Sequence, residues 1–144
     1  MIEKIIYKKK ILAIIINSTK FKKKGVHFTS PNNFTKQVGI INFNKNHLIK
    51  PHTHIKYLRR IRRTSEVLFV KKGLLRVDFY KDNKKYLYSK ILKKNDIIIL
   101  NDGSHGFKIL KNCSMIEIKQ GPFVKSLDKK RFQSINEKKI KIKK

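Results

Sequence analysis

The chain has little negative charge, a single cysteine and no tryptophan. Against nine Asp and Glu it carries 37 Lys and Arg, a formal net charge of +28 over 144 residues. One thiol excludes an internal disulfide, so a reducing, cytoplasmic setting is expected. No stretch approaches the roughly 20 apolar residues of a membrane-spanning helix. The apolar run at 11–16 is only six residues long and precedes no small-residue cleavage site, which predicts a strand rather than an export signal.

The positive charge is spread along the chain instead of being concentrated in one stretch. Of the basic residues, 31 are Lys and only six are Arg. Nucleic-acid recognition favours clustered Arg side chains, whose paired N–H groups fit phosphate. We therefore expect most of this charge to be solvated surface, with neither nucleic acid nor membrane as a partner. Association with a polyanion through net charge is the alternative.

The pattern of apolar runs predicts one all-β domain. The length fits a single hydrophobic core, and turn residues separate the apolar runs at close spacing. Leu75, Val77 and Phe79 alternate with Arg76 and Asp78, as in a half-buried strand. A hairpin across 72–73 and an antiparallel barrel or sandwich are expected. About eleven strands are predicted, among them 5–7, 11–16, 37–43, 47–54, 66–71, 74–80, 85–92, 97–100, 105–110 and 114–120.

Three histidines and one glutamate have the spacing of a metal site. His52 and His54 lie two residues apart in a predicted strand, where side chains alternate, so both rings would leave the same face. Glu66 begins the next apolar run, and His105 begins a later one. This ligand set suits Fe(II), Mn, Ni, Co or Zn. The sequence thus predicts a divalent metal site, the alternative being polar residues at a barrel mouth without metal.

The same residues carry a resemblance to a known family. His52-Thr-His54, Glu66 followed by six residues and Gly73, and Gly103-Ser-His105 resemble the two-part signature of the cupin superfamily. Further segments resemble small single-domain bacterial cupins over nearly the whole chain. The pattern departs from the family between His54 and Glu66, where eleven residues stand instead of three or four. The resemblance implies a double-stranded β-helix jelly-roll barrel over 1–128, a basic tail at 129–144 and a homodimer.

The stretch between His54 and Glu66 predicts contacts to an anion. It holds four of the six Arg of the chain, and Arg binds phosphate or carboxylate through two parallel hydrogen bonds. We expect Arg59, Arg62, Tyr57 and Tyr80 to contact an anionic small molecule such as a sugar nucleotide or an oxo-acid. The alternative is an exposed loop whose charges face water.

Glu117 and Lys119 are the candidate catalytic residues. They share one face of a predicted strand, so they form an acid–base pair if that face turns inward. If it turns outward, they are an ordinary solvated pair.

Three functions follow from these patterns. The first is a metal-assisted enzyme of the isomerase, epimerase or oxygenase type that acts on an anionic small molecule. The second is a cupin that binds such a molecule without turnover. The third is polyanion binding through net charge, which requires a continuous basic surface.

The metal prediction has a direct test. Protein purified without chelator should contain stoichiometric divalent metal, because imidazole and carboxylate ligands together bind such ions. Changing His52 and His54 together to Ala should remove it in elemental analysis. Absence of metal from the wild-type protein would contradict the prediction.

Overall fold

The computed structural model describes residues 1–124 and 128–144, which form eight β-strands and two short 3₁₀ helices. The all-β prediction is confirmed. No helix in these two ranges is both long and apolar enough to cross a membrane. The strands are β1 (Ile2–Tyr7), β2 (Lys10–Asn17), β3 (Gly25–Phe28), β4 (Gly39–Asn42), β5 (Glu66–Tyr80), β6 (Tyr86–Lys93), β7 (Asp96–Leu100) and β8 (Ser104–Lys119), and the 3₁₀ helices are Ser18–Lys20 and Glu137–Lys139.

Six of these strands form one antiparallel sheet, and β3 and β4 form a separate hairpin. Along the sheet the order is β1, β2, β7, β5 and β6, with β8 on the other edge of β5. The first part of β5 pairs with β7, and the part after residue 73 pairs with β6. β8 pairs with β5 along its whole length, so these two strands form one long ribbon.

The β5–β8 ribbon folds back on itself. In its register Glu66 lies opposite Lys119 and Phe79 opposite His105, near the two ends of the ribbon. A straight strand from Glu66 to Phe79 would span about 43 Å at 3.3 Å per residue. Yet the Glu66 carboxylate lies 3.1 Å from the His105 ring. The ribbon must therefore bend sharply, and its two ends meet.

Gly73 lies at the bend. The register of β5 against β8 shifts three times between Val70 and Leu75, and such bulges bend a strand. Gly73 has φ +89°, and a Cβ there would lie 2.1 Å from the carbonyl oxygen of Asn112. Only glycine allows the two backbones to approach this closely.

The two halves of the ribbon enclose the larger of two buried clusters. This central cluster combines Leu68 and Val70 from the first half of β5 with Leu75, Val77 and Phe79 from the second. Side chains of β1, β2, β6 and β7 complete it. The fold-back therefore buries apolar surface from both halves in one core, at about 25 cal/mol per Å² of area removed from water.

A second, outer cluster lies on the opposite face of the first half of the sheet. It contains Ile14, Ile16, Val67 and Ile99, with partly buried side chains of the 34–40 segment packed against it. Because both faces of β2 are covered, its sequence is a continuous apolar run, and residues 12–16 are all buried.

The segment 128–144, predicted as a basic tail, packs against β5 and β6. The Ser89 N–H donates to the Lys141 carbonyl at 2.8 Å, and the Lys143 N–H donates to the Ser89 carbonyl at 3.0 Å. The guanidinium of Arg76, only 5% exposed, donates to both oxygens of Glu137 at 2.7 and 3.0 Å. These contacts give the C-terminal segment a defined position on the outer face of β5 and β6.

Three strand predictions are wrong. The stretch 47–54 is irregular and exposed rather than a strand. Pro51 has no backbone N–H to donate to a neighbouring strand. Leu48 and Ile49 are both exposed, so neither contributes to a buried face. The predicted hairpin across 72–73 is one continuous strand. Both of its halves pair with β8 and not with each other, and the two predicted strands at 105–120 merge in the same way.

Stability should depend on Gly73. Gly73→Ala should lower the free energy of unfolding by about 2 kcal/mol or more, because it adds positive-φ strain and a backbone clash. Urea denaturation measures this. Gly121→Ala is the control, since a Cβ at Gly121 meets nothing within 4 Å. Equal stability of the two variants would contradict the close approach at the bend.

Candidate functional site

Glu66 and His105 form a hydrogen-bonded pair where the ends of the ribbon meet. Glu66 is the first residue of β5, and His105 is the second residue of β8. The Glu66 Oε2 and His105 Nε2 atoms are 3.1 Å apart, and the side chains are 13% and 27% exposed. Both residues belong to the metal site predicted from the sequence. In the structure their side chains lie within hydrogen-bond distance of each other.

The surroundings of Glu66 favour its ionised form. The hydrogen bond from His105 has the largest effect and lowers the pKa of Glu66 below its ordinary value. Burial opposes this shift, while the positive charges of Lys129 and Lys119 add to it. The carboxylate is therefore ionised near neutral pH, and it accepts a hydrogen bond from His105 Nε2–H.

A pocket of about 420 Å³ opens beside this pair. Such a volume is typical of sites for small molecules. Its walls come from the start of β5, the start of β8 and the C-terminal segment. Side chains that line it include Thr64, Tyr80, Lys129, Lys130, Arg131 and Phe132. The pocket is thus formed by the fold-back of the ribbon and closed on one side by the C-terminal segment.

Tyr80, a predicted substrate-binding residue, lines this pocket. Its hydroxyl accepts a hydrogen bond from the Ile135 backbone N–H at 3.1 Å. The Tyr80 ring meets the Phe132 ring edge to face, with centroids 5.1 Å apart. Burial raises the pKa of Tyr80. Its hydroxyl is neutral at pH 7 and fixes the position of the C-terminal segment.

Lys119 and Glu117, the predicted acid–base pair, lie in different surroundings. Lys119 pairs with Asp128, and this hydrogen bond raises the pKa of Lys119. Glu117 is exposed and lies opposite Leu68. In the part of the chain that the structure describes, Lys119 bonds to Asp128 and not to Glu117. Its charge also lowers the pKa of Glu66.

The predicted anion-binding residues between His54 and Glu66 lie outside this pocket. The Arg59 guanidinium stacks on the Tyr57 ring at 3.8 Å. Both line a separate cavity of about 590 Å³ together with residues of the 32–37 segment. Arg62 is exposed and lines neither cavity. Arg63 pairs with Asp102, which holds the end of the segment near β8.

His52 and His54 are exposed and lie in the irregular segment. Their ring centroids are 5.2 Å apart, and His52 Nδ1 lies 3.1 Å from the Lys50 carbonyl. Within residues 1–124 and 128–144, no three His, Cys, Asp or Glu side chains are grouped to hold a metal ion. Zinc sites take three or four protein ligands, so Glu66 and His105 do not by themselves supply such a ligand set in this arrangement.

The cationic wall at 129–131 was missed by the sequence reasoning. Its residues were interpreted as part of a basic tail, because Lys is abundant throughout the chain and charge alone does not mark a site. The sequence feature that could have marked this wall lies within the segment itself. Arg131 is one of only two Arg outside the 59–63 stretch, and it directly precedes an aromatic residue.

Comparisons of the chain with protein-family profiles, with curated proteins and with solved structures found no match. The chemistry of the pocket is therefore argued from its own residues.

The Glu66–His105 bond predicts a pH-dependent stability. Because the folded-state pKa of Glu66 is lowered, its contribution is fully present above the unfolded pKa, about 4.3, and is lost as pH falls through the folded value. Glu66→Gln should cost about 1–2 kcal/mol at pH 7, as for a hydrogen bond to a charged group. The cost should shrink below pH 4. Urea denaturation across pH measures both.

The exposed Glu117 provides the control for this experiment. Glu117→Gln should change the free energy of unfolding by less than about 0.5 kcal/mol, as surface substitutions usually do. A cost of Glu66→Gln that stays constant from pH 7 to pH 3 would show that the ionised carboxylate does not stabilise the fold.

Proposed function

We propose that the pocket beside Glu66 and His105 binds a small anionic molecule and that this pair moves a proton on it. The observation that carries the proposal is the 3.1 Å hydrogen bond between the two side chains, inside a pocket of small-molecule size with cationic residues along one wall. A hydrogen-bonded His–carboxylate pair in a cavity is the arrangement of a general acid–base catalyst.

The ionised carboxylate decides which ring nitrogen is available. Glu66 accepts from His105, so in the neutral ring Nε2 carries the proton and Nδ1 keeps the lone pair. Nδ1 is then the atom that accepts a proton from a bound molecule, and the Glu66 carboxylate stabilises the imidazolium that results. Epimerases remove a proton from a carbon and return it to the same carbon, and isomerases of this type return it to a neighbouring carbon, which favours these two classes over oxygenases here.

The cupin-like double-stranded β-helix is part of this proposal. The β5–β8 ribbon that folds back over a central cluster supports such an arrangement. So does the position of the pocket, which is lined by Glu66 from the first part of the family signature and by Gly103 and His105 from the second. The homodimer expected from the same resemblance stays a prediction.

A metal-dependent form of the site is the second candidate. Among the described residues, β8 pairs with a strand on only one edge, and exposed Phe107 and Ile109 lie just beyond His105. An extended 47–54 segment added to that free edge would place His52 and His54 near the pocket. A divalent ion bound there would supply Lewis-acid chemistry. Metal content, with metal-induced hydrogen-exchange protection of 47–54, distinguishes this form from the first.

The other two functions expected from the sequence, binding without turnover and polyanion binding, would give different experimental results. A cupin without turnover would bind the anion through the same cationic wall and leave its protons in place. Polyanion binding would involve charge over the whole surface, so that long anions bind better than small ones at equal charge concentration.

Binding and proton transfer can be tested separately. Sugar nucleotides and oxo-acids should raise the thermal midpoint, since a ligand at 100 times its Kd stabilises by about 2.7 kcal/mol. For a ligand so found, solvent deuterium should enter it in the presence of the protein. His105→Gln should abolish this exchange and retain binding within a few-fold, because Gln removes the titratable ring.

His47→Gln is the matched control for that substitution. His47 stacks on Phe43 in the irregular segment and does not line the pocket. Its loss should leave deuterium exchange unchanged. Binding without exchange in the wild-type protein would support the non-catalytic function, and stabilisation by no small anion would contradict the proposal as a whole.

A further inference from the structure

Resting on the proposed anion site, we infer that its ligand is a phosphomonoester carrying a planar or apolar group, and that Lys129, Lys130 and Arg131 determine this specificity. The two parts of such a ligand correspond to two parts of the pocket. Cationic side chains line one wall, and the Tyr80–Phe132 aromatic pair lies beside them.

The local charge balance favours a dianion. Lys129, Lys130 and Arg131 contribute three positive charges and Glu66 one negative charge, while Lys119 and Asp128 neutralise each other. Within the ranges 1–124 and 128–144, none of the three cations lies within ion-pair distance of a carboxylate. The balance at the pocket is therefore +2 with His105 neutral. A phosphomonoester carries about −1.5 to −2 at pH 7, which a single carboxylate does not match.

The placement of the cations favours one compact anionic group. Lys129, Lys130 and Arg131 are consecutive exposed residues that all line this pocket, so their charges lie in one short segment of its lining. Glu66 lines the same pocket, and its negative charge repels a second anionic group. A molecule with two separated carboxylates would bring one of them toward Glu66, whereas a phosphate concentrates its whole charge at the cationic wall.

The aromatic pair favours a planar or apolar remainder. The partly exposed Phe132 ring packs edge to face at 5.1 Å on the Tyr80 ring, which is only 3% exposed. Apolar side-chain atoms contribute much of the pocket surface. An aromatic or unsaturated group stacks well on the exposed part of the Phe132 ring. Its reactive carbon would then lie between the cationic wall and the Glu66–His105 pair.

The C-terminal segment is held in place before any ligand binds. Arg76 bonds to both carboxylate oxygens of Glu137, at 2.7 and 3.0 Å, and to Asp78 at 2.8 and 3.0 Å. Tyr80 bonds to the Ile135 backbone nearer the pocket. These anchors reduce the conformational freedom of residues 129–131, and a site ordered in advance loses less entropy on binding.

The experiment measures the affinities of phenyl phosphate, inorganic phosphate, phthalate and benzoate by calorimetry at pH 8 and constant ionic strength. Phenyl phosphate should bind at least tenfold more tightly than each of the others. Inorganic phosphate lacks the ring, benzoate lacks one charge, and phthalate spreads its charge over two groups. Equal binding of phthalate and phenyl phosphate would overturn the inference.

Substitutions of basic residues test which positive charges bind the anion. The triple substitution K129Q/K130Q/R131Q should weaken phenyl phosphate binding at least tenfold. The triple substitution K22Q/K23Q/K24Q removes the same charge from three exposed residues outside the pocket and should change binding less than twofold. An equal loss in both triples would mean that net charge and not the wall binds the anion, which overturns the inference.

A third variant tests the Arg76–Glu137 anchor. It also keeps the inference testable if the variant K129Q/K130Q/R131Q does not fold. Glu137→Gln leaves the three cations in place and removes the charge that bonds to Arg76, so it should weaken binding several-fold and expose the C-terminal segment to trypsin. Single substitutions K129Q and R131Q should each weaken binding at least threefold. Unchanged affinity in both singles would overturn the inference. If none of the four anions binds wild-type protein, the inference is overturned, whereas the proposed function fails only if sugar nucleotides and oxo-acids also give no stabilisation.

Discussion

The fold-back of the β5–β8 ribbon is the constraint on which the rest of the structure depends. It brings two strand ends that would lie about 43 Å apart in a straight ribbon to a distance of 3.1 Å between Glu66 and His105. The same bend puts Leu68 and Phe79 into one central cluster. The fold-back therefore creates both the core and the pocket. It buries the apolar face of the ribbon in the central cluster, and it brings the polar residues at the two ends of the ribbon together beside the pocket.

The sequence predicted the strands with clear alternation and the two motif residues on them. Glu66 and His105 each begin an apolar run, and that position at a strand end is readable from the chain. The bend was not predictable, because Lys72-Gly73 has the local pattern of a hairpin turn. The stretch is a bend and not a hairpin because both halves of β5 pair with the continuous strand β8. Pairing between residues so far apart in the chain leaves no local sequence pattern.

The C-terminal segment shows a second limit of reasoning from the sequence. Its position depends on Arg76, Tyr80 and Ser89, more than 40 residues away in the chain. Arg76 was interpreted as the polar side of a half-buried strand, but it is buried by Glu137. In a chain with so many Lys, the few carboxylates decide which basic residues become fixed, and the remaining charge stays at the surface. The cations at 129–131 line the pocket only through that placement.

The bend at Gly73 also makes strand length a determinant of chemistry. Side chains alternate between the faces of a sheet, so removing one residue between Gly73 and Glu66 would turn the carboxylate away from His105 while every residue type of the site was kept. A change of two residues would preserve the face but move the carboxylate by about 6.6 Å. The number of residues between the bend and each end of the ribbon therefore specifies the site as much as the identities of Glu66 and His105 do.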